Sequence, residues 1–159
     1  MEGGLARYGL MHRFFSHHIT ELPDNTIIVF GSNLAGIHGA GAARQAHQQF
    51  GAEWGVGEGP TGRCYALPTK DEKIHTLPLD KIQGHVLWFI GYAAEHPELE
   101  FLVTPIGCGL AGYSPKQIGP MFGLAPENCI LHTDLKVYAD QTLLNFVDVV
   151  MNNEQDPNV

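Results

Sequence analysis

Residues 26–43, "TIIVFGSNLAGIHGAGAA", change character twice within one short stretch. The first part, 26–30, is an apolar run with β-branched residues and is typical of a buried strand. The last part opens a helix over about 40–50 that has one apolar face. Glycines fill the segment between them, and glycine lets another molecule approach the main chain closely because it has no Cβ. The stretch therefore predicts a strand, a glycine loop and a helix in succession.

A second unit of the same kind begins at residue 100. "EFLVTPI" (100–106) predicts a strand and runs directly into "GCGLAGYSP" (107–115). Ser114 and Gln117 have the spacing of a capping box, with a proline at the first helical position. Pro120 is expected to interrupt that helix after about one turn.

The rest of the chain continues the alternation of strands and helices. We predict strands over 64–69 and 128–133, and helices over 81–96 and 139–151. The glycine-dense segment 51–62 is expected to be an exposed loop. This order predicts an α/β fold with a mostly parallel sheet covered on both faces. Ligands bind such sheets at the carboxyl ends of strands, where both glycine loops lie.

Length and composition indicate one globular domain. The chain has 159 residues, of which 44% are hydrophobic and 16% charged, as in soluble proteins with a single core. We place the domain at 25–151, with an N-terminal extension or edge segment over 1–24 and a frayed tail over 152–159.

The cysteines and the apolar runs favour a cytoplasmic protein without a membrane partner. Cys64, Cys108 and Cys129 form an odd set with no C-x-x-C spacing, which favours reduced thiols over disulfides or a zinc site. No apolar run is long enough to span a bilayer, and the first residues lack the core of a secretory signal. The formal net charge of −8 disfavours nonspecific binding to nucleic acid.

Several known site motifs fail on these loops. Neither loop has the lysine of a P-loop, and Arg44 stands where a dinucleotide fingerprint needs its third glycine. The residues around Ser32 do not form a nucleophile elbow. Cys108 lacks an identifiable histidine partner and is expected to be a packing thiol. His17 and His18 lack a third ligand, so we predict neither a metal nor a cofactor.

The remaining interpretation is a site made of two loops. Each glycine loop leads into a helix, and the N–H groups at a helix N-terminus can bind an anion without any lysine or arginine. Two such termini facing one cleft would suit a diphosphate. The alternative is that the glycines only form tight turns.

Two stretches resemble the ligand loops of macro domains, which bind ADP-ribose: "IIVFGSNLAGIHGAGAARQAHQQFG" (27–51) and "IGCGLAGYSPKQI" (106–118). The sequence of these stretches is similar to that of the phage-associated branch of the family. It is also similar to the branch that removes ADP-ribose with a lysine, which includes DNA-ADP-ribose antitoxins. The similarity covers about residues 18–150 and is most specific in the two loops and in "ALPTKD" (66–71). The resemblance implies a three-layer α/β/α sandwich of macro-domain type.

The resemblance also assigns the binding residues. Asn33 would lie near the distal ribose, and Tyr113 near the distal ribose or the adenine. Residues 39–41 and 107–111 would enclose the diphosphate from two sides. The ligand-binding set implied is Ser32, Asn33, His38, Gly39, Ala40, Gly41, Gly107, Cys108, Gly109, Leu110, Ala111, Gly112 and Tyr113. The family's adenine-binding aspartate falls on His18, so the resemblance does not imply adenine selectivity.

Lys70 matches the catalytic lysine of the lysine-dependent branch. Asn33 is the second catalytic residue that the resemblance implies. The amine of Lys70 would attack the anomeric carbon of the distal ribose or stabilise opening at that carbon. A lysine amine in water, with a pKa of about 10.4, would need desolvation or a nearby cation to attack. The alternative is that "KDEK" (70–73) is a solvated charge cluster.

Acidic residues that other branches carry in the loops are replaced here by Ala40 and Ala111. The sequence therefore leaves three functions open. The first is a protein that binds ADP-ribose or a related nucleotide and hydrolyses an ADP-ribosyl bond through Lys70. The second is a non-catalytic nucleotide-binding module or sponge, and the third an eraser acting on ADP-ribosylated nucleic acid. An ADP-ribosylated protein is the other macromolecular partner to consider.

Overall fold

The computed structural model describes residues 11–155. One mixed, mostly parallel sheet runs through it in the order β1-β6-β5-β2-β4-β3, and only the β3–β4 pair is antiparallel. The strands are β1 (Phe14–Phe15), β2 (Thr26–Asn33), β3 (Gly59–Thr61), β4 (Cys64–Lys70), β5 (Glu100–Val103) and β6 (Cys129–His132). The helices are α1 (Gly41–Phe50), α2 (Leu79–Glu95), α3 (Pro115–Ile118) and α4 (Thr133–Gln155), and a 3-10 turn (Gly119–Phe122) follows α3.

Helices cover both faces of the sheet, as predicted. One core cluster contains the buried face of α2, with Val86 and Phe89, together with the start of α4. The other contains the buried face of α1, with Ala43, Ala46 and Phe50. The molecule is therefore a three-layer α/β/α sandwich.

Several element boundaries differ from the sequence-based prediction. The predicted strand 100–106 ends at Val103. The Thr104 amide still donates to the Val29 carbonyl at 3.2 Å, but the Ile106 amide turns back to the Thr104 carbonyl at 2.6 Å. Pro105 then has no N–H with which to continue the ladder. In the segment expected to be an exposed loop, Gly59–Thr61 pairs with β4 and forms β3.

The C-terminal helix also differs from its prediction. It begins at Thr133 instead of 139 and continues to Gln155. Its buried apolar residues are Leu135 and Ala139, in the first two turns, whereas Phe146 and Val150 are exposed. The prediction placed both of these on the buried face and was wrong there.

A buried polar cluster fastens the N-terminal segment to α4. The main-chain amide and the ring Nδ1 of His12 both donate to Asp140 Oδ1, each at 2.9 Å. Lys136 donates to Asp140 Oδ2, and its amine lies 5.5 Å from the centre of the Phe14 ring. β1 is held at the sheet edge by this cluster as well as by pairing with β6. Residues 1–10 of the predicted N-terminal extension lie outside the described residues.

We predict that Asp140→Asn lowers the free energy of unfolding at pH 7 by about 1.5–3 kcal/mol, because the charged hydrogen bonds are lost. Burial alone would raise the pKa of Asp140, but hydrogen bonds from Lys136 and His12 outweigh it and hold the pKa below its usual value. This stabilisation is therefore present above the unfolded pKa, about 3.9, and is lost as the pH falls through the folded pKa.

Urea unfolding of both proteins at pH 7 and at pH 4 or below measures the effect. The difference between them should shrink on acidification. Glu100→Gln is the matched control, because its ion pair with Arg13 belongs to the same segment but is exposed; it should cost no more than about 1 kcal/mol. A difference that did not depend on pH would contradict the prediction.

Candidate functional site

A cavity of about 450 Å³ opens at the carboxyl ends of β2, β4 and β5. Its lining consists of residues 31–33, 37 and 39–43 from the first glycine loop, 69, 70 and 74 after β4, and 104–107 and 109–111 from the second loop. Segments about seventy residues apart in sequence thus meet in one place, as the sequence analysis expected of the two loops. We call this space the main cavity.

Asn33 shapes the first loop. Its side-chain amide donates to the Ile37 carbonyl at 2.7 Å, and its Oδ1 accepts the Ile37 amide at 2.9 Å. Gly36 lies between them at φ 69°, and a Cβ there would come within 2.3 Å of Gly55. The loop therefore folds back tightly after β2. Asn33 lines the main cavity, but both polar groups of its side chain are engaged by Ile37.

Beyond this turn, the N-terminus of α1 faces the main cavity. Ala40 is the N-cap residue, and its side chain cannot cap the helix. The amides of residues 41–43 thus have no acceptor earlier in the helix. They stand at the positive end of the helix dipole, which favours an anion.

The second glycine loop closes the opposite side. Gly107 has φ 73°, and a Cβ there would lie 3.1 Å from Ile118 Cδ1, in a backbone region that favours glycine. A Cβ at Gly109 would meet nothing within 4 Å, so the main chain is open to the main cavity at this point. Within residues 11–155, the amides of 109–111 have no hydrogen-bond acceptor. They are available to a ligand.

Lys70 is the only charged side chain that lines the main cavity in the described part of the chain. It ends β4 and pairs with Asn33 after an irregularity in the register. Asp71 turns away from it, since its Oδ1 accepts the amides of Lys73 and His75 at 2.8 and 2.9 Å. The backbone hydrogen bond from His75 is the main cause that lowers the pKa of Asp71. The "KDEK" segment is thus an ordered turn at the rim of the main cavity.

The structure places ten of the fourteen predicted site residues on the main cavity and four outside its lining. Those on the cavity are Ser32, Asn33, Gly39, Ala40, Gly41, Lys70, Gly107, Gly109, Leu110 and Ala111. Those outside its lining are His38, Cys108, Gly112 and Tyr113.

The side chains outside the lining support the loops. His38 is buried, its Nε2 donates to the Glu53 carbonyl at 2.9 Å, and its ring packs on Phe30. Tyr113 donates its hydroxyl to the Leu77 carbonyl at 2.7 Å. Cys108 bonds to the Ile106 carbonyl, and burial raises the pKa of its thiol to about 11. That thiol is therefore protonated at neutral pH and is a poor nucleophile.

Sequence reasoning missed a side cavity of about 290 Å³. It lies between residues 15–19, Gln45 and His132, and it shares Thr104 and Pro105 with the main cavity. His132 Nδ1 accepts the Asp134 amide at 3.1 Å, so the proton is assigned to Nε2. The ring of Phe15 meets His132 edge-on at 5.4 Å. The two cavities are therefore adjacent, with Thr104 and Pro105 in the wall of each.

The fold is that of a macrodomain. At TM-score 0.58 and 18% identity, the chain is similar to the macrodomain of Mycobacterium tuberculosis DarG, over 77% of this chain and 97% of that one. The macrodomain of Thermus aquaticus DarG gives TM-score 0.57 and 18% identity over the same shares. Thermosipho africanus DarTG in complex with ADP-ribose gives 0.53 and 16%, over 76% of this chain and 43% of that one. No protein-family model and no curated protein matches the sequence.

Two further features are absent from residues 11–155. None of their helices is long and apolar enough to span a bilayer. They contain no group of three or more histidine, cysteine or acidic side chains placed to hold a metal ion.

Proposed function

We propose that the protein binds ADP-ribose or a related nucleotide diphosphate in the main cavity. One observation carries the proposal: the open amides of residues 41–43 and 109–111 line the same cavity. Main-chain N–H groups at a helix N-terminus and in a glycine loop are suitable donors for phosphate oxygens. The ligand in the similar Thermosipho africanus structure, ADP-ribose, has this diphosphate.

We extend the proposal to the two ends of the ligand. The base would enter the side cavity past Thr104 and Pro105 and lie alongside the packed rings of Phe15 and His132. The distal ribose would then lie at the end of the main cavity where Lys70 stands. Asn33 would act there mainly by holding the loop, because Ile37 engages its amide.

Lys70 is proposed to act on the bond at the anomeric carbon of the distal ribose. As an ammonium group it would stabilise opening of that bond through a charged hydrogen bond to the departing oxygen or nitrogen, while water adds to the anomeric carbon and gives its proton to the departing group. As a free amine it would attack the carbon and displace the same group, and water would then release the sugar from the lysine nitrogen. Hydrolysis of an ADP-ribosyl bond is the reaction that results.

A non-catalytic nucleotide-binding module is the second candidate. Among the described residues, no carboxylate lines the main cavity, and Ala40 and Ala111 occupy two positions on its wall. A side-chain carboxylate that could activate water is therefore missing from the wall. A binder needs only the amides, and the structure provides them.

Isothermal titration calorimetry with ADP-ribose tests the proposal. We expect saturable one-to-one binding, and weaker binding of AMP, which lacks the second phosphate and the distal ribose. The hypoxanthine counterpart of ADP-ribose is the comparator for the base. His18 lines the side cavity, and the resemblance puts it at the position of the family's adenine-binding aspartate. No saturation by ADP-ribose at millimolar concentration would overturn the proposal.

Activity is tested separately. ADP-ribosyl-thymidine and ADP-ribosyl-glutamate substrates represent nucleic-acid and protein conjugates. Release of ADP-ribose from either would support the enzyme. Binding of ADP-ribose with no release of ADP-ribose from either substrate would favour the non-catalytic module.

A further inference from the structure

Ile74 has a backbone conformation that a β-branched residue rarely adopts. Its φ is 65°, and Asn25, at φ 66°, is the only other non-glycine residue with positive φ in the described part of the chain. Asparagine tolerates this left-handed region, whereas isoleucine is strained in it because its Cβ crowds the main chain. Such strain persists only where the surrounding structure imposes it.

The turn after β4 imposes the conformation. The Ile74 amide donates to the Asp71 carbonyl at 3.1 Å, and the Asp71 amide donates to the His75 carbonyl at 2.8 Å. The Asp71 side chain accepts two further amides of the same turn. A bridge between Lys70 and Thr76 closes its base. The turn is therefore fixed from both sides, and the strained residue directly follows its tip at Glu72 and Lys73.

Burial in the fold does not offset this strain. Ile74 is 39% exposed and belongs to neither core cluster. It lines the main cavity instead, together with Ile37 and Leu110, which are 41% and 70% exposed. We call these three side chains the aliphatic collar. Each comes from a different one of the three segments that form the main cavity.

The collar is held together by a contact between two of those segments. Thr76 donates its hydroxyl to the Ala111 carbonyl at 3.0 Å. This bond fixes the turn that carries Ile74 to the loop that carries Leu110. Lys70 ends the strand that leads into the same turn. The aliphatic collar thus lines the same cavity as the only charged side chain on its wall in residues 11–155.

We propose that Ile74 is a positioning residue for the ligand, held in a strained conformation so that its side chain covers the end of the main cavity that contains Lys70. The inference rests on the proposed function. Ile74 packs against the distal ribose and the group bonded to it, and it excludes water from that end. Its aliphatic surface, removed from water only when ligand binds, contributes to affinity.

The test compares two properties that the proposal moves in opposite directions. Ile74→Gly and Ile74→Asn both relieve the strain, so we expect the melting temperature to rise by about 2–4 °C. Both also remove the aliphatic side chain, so ADP-ribose should bind about tenfold more weakly. Asparagine is included because it tolerates positive φ without adding the flexibility of glycine.

Asn25→Gly is the matched control. It has the same φ but precedes β2, at the strand end opposite the main cavity, and it should leave affinity unchanged. No binding by the unaltered protein overturns the proposed function and this inference together. Normal binding by both Ile74 variants overturns the inference alone, and so does a fall in their melting temperature, which would show that Ile74 stabilises the fold.

Discussion

Lys70→Ala is expected to reduce release of ADP-ribose from an ADP-ribosylated substrate by at least about a thousandfold, which is the scale for a group that acts in the transition state. Affinity for free ADP-ribose should change by less than about fivefold, because the diphosphate is held by main-chain amides that the substitution does not touch. Chromatography measures the release of ADP-ribose, and calorimetry on the same preparation measures the affinity.

Lys73→Ala is the control for this result. Lys73 lies in the same turn and is exposed, but it does not line the main cavity. The Lys73→Ala substitution therefore removes an equal charge close to Lys70 without removing a group from the site. Loss of activity in both variants would indicate that general charge matters. Full activity of Lys70→Ala would remove the lysine from the reaction.

Lys70→Arg separates the two roles open to the amine. Arginine keeps a positive charge and several N–H donors, but it cannot act as a nucleophile at neutral pH. Activity retained in Lys70→Arg would favour electrostatic stabilisation of the opening bond at the anomeric carbon. Activity lost as completely as in Lys70→Ala would favour attack by the amine.

The layers of the fold could be predicted from local patterns. Strands such as 26–30 are apolar runs that end at glycine, and the buried face of α1 follows the helical period. The continuation of β2 through Gly31, Ser32 and Asn33 could not be predicted in this way. These residues carry no apolar signal, and they are in the strand because they pair with β4. β3 has the same explanation, since a Gly-Pro-Thr segment has no strand pattern of its own.

The two glycine loops that line the main cavity could be predicted, because a glycine-rich segment that follows an apolar strand can be recognised in a single sequence. The turn that carries Ile74 could not. Its residues read as a charge cluster, and the strain results from hydrogen bonds of Asp71 that only the folded turn makes. The side cavity could not be predicted either, for a similar reason. Residues 15–19 have no periodicity, and they reach Thr104 only because β1 pairs with β6 at the sheet edge.

A valine at position 109 should block the proposed diphosphate site without disturbing the fold. Gly109 is not among the glycines with positive φ, and a Cβ there meets nothing within 4 Å. The substitution therefore introduces no backbone strain or clash in the free protein. Its methyl groups would project from the loop whose amides are proposed to bind phosphate. Hydrogen bonds to phosphate oxygens need an N···O distance of about 2.7–3.2 Å, and the added side chain would prevent that approach.

We expect Gly109→Val to weaken ADP-ribose binding by at least about a hundredfold, or about 2.7 kcal/mol, with Gly109→Ala between it and the unaltered protein. The melting temperature should stay within about 2 °C of that of the unaltered protein, because surface substitutions change stability by only about 0.5 kcal/mol. Gly84→Val is the matched control: Gly84 lies in α2, is exposed, and also has nothing within 4 Å of an added Cβ. It should bind ADP-ribose normally. If Gly109→Val also bound normally, the ligand would not lie against this loop, and the amides of 109–111 would have no part in holding a diphosphate.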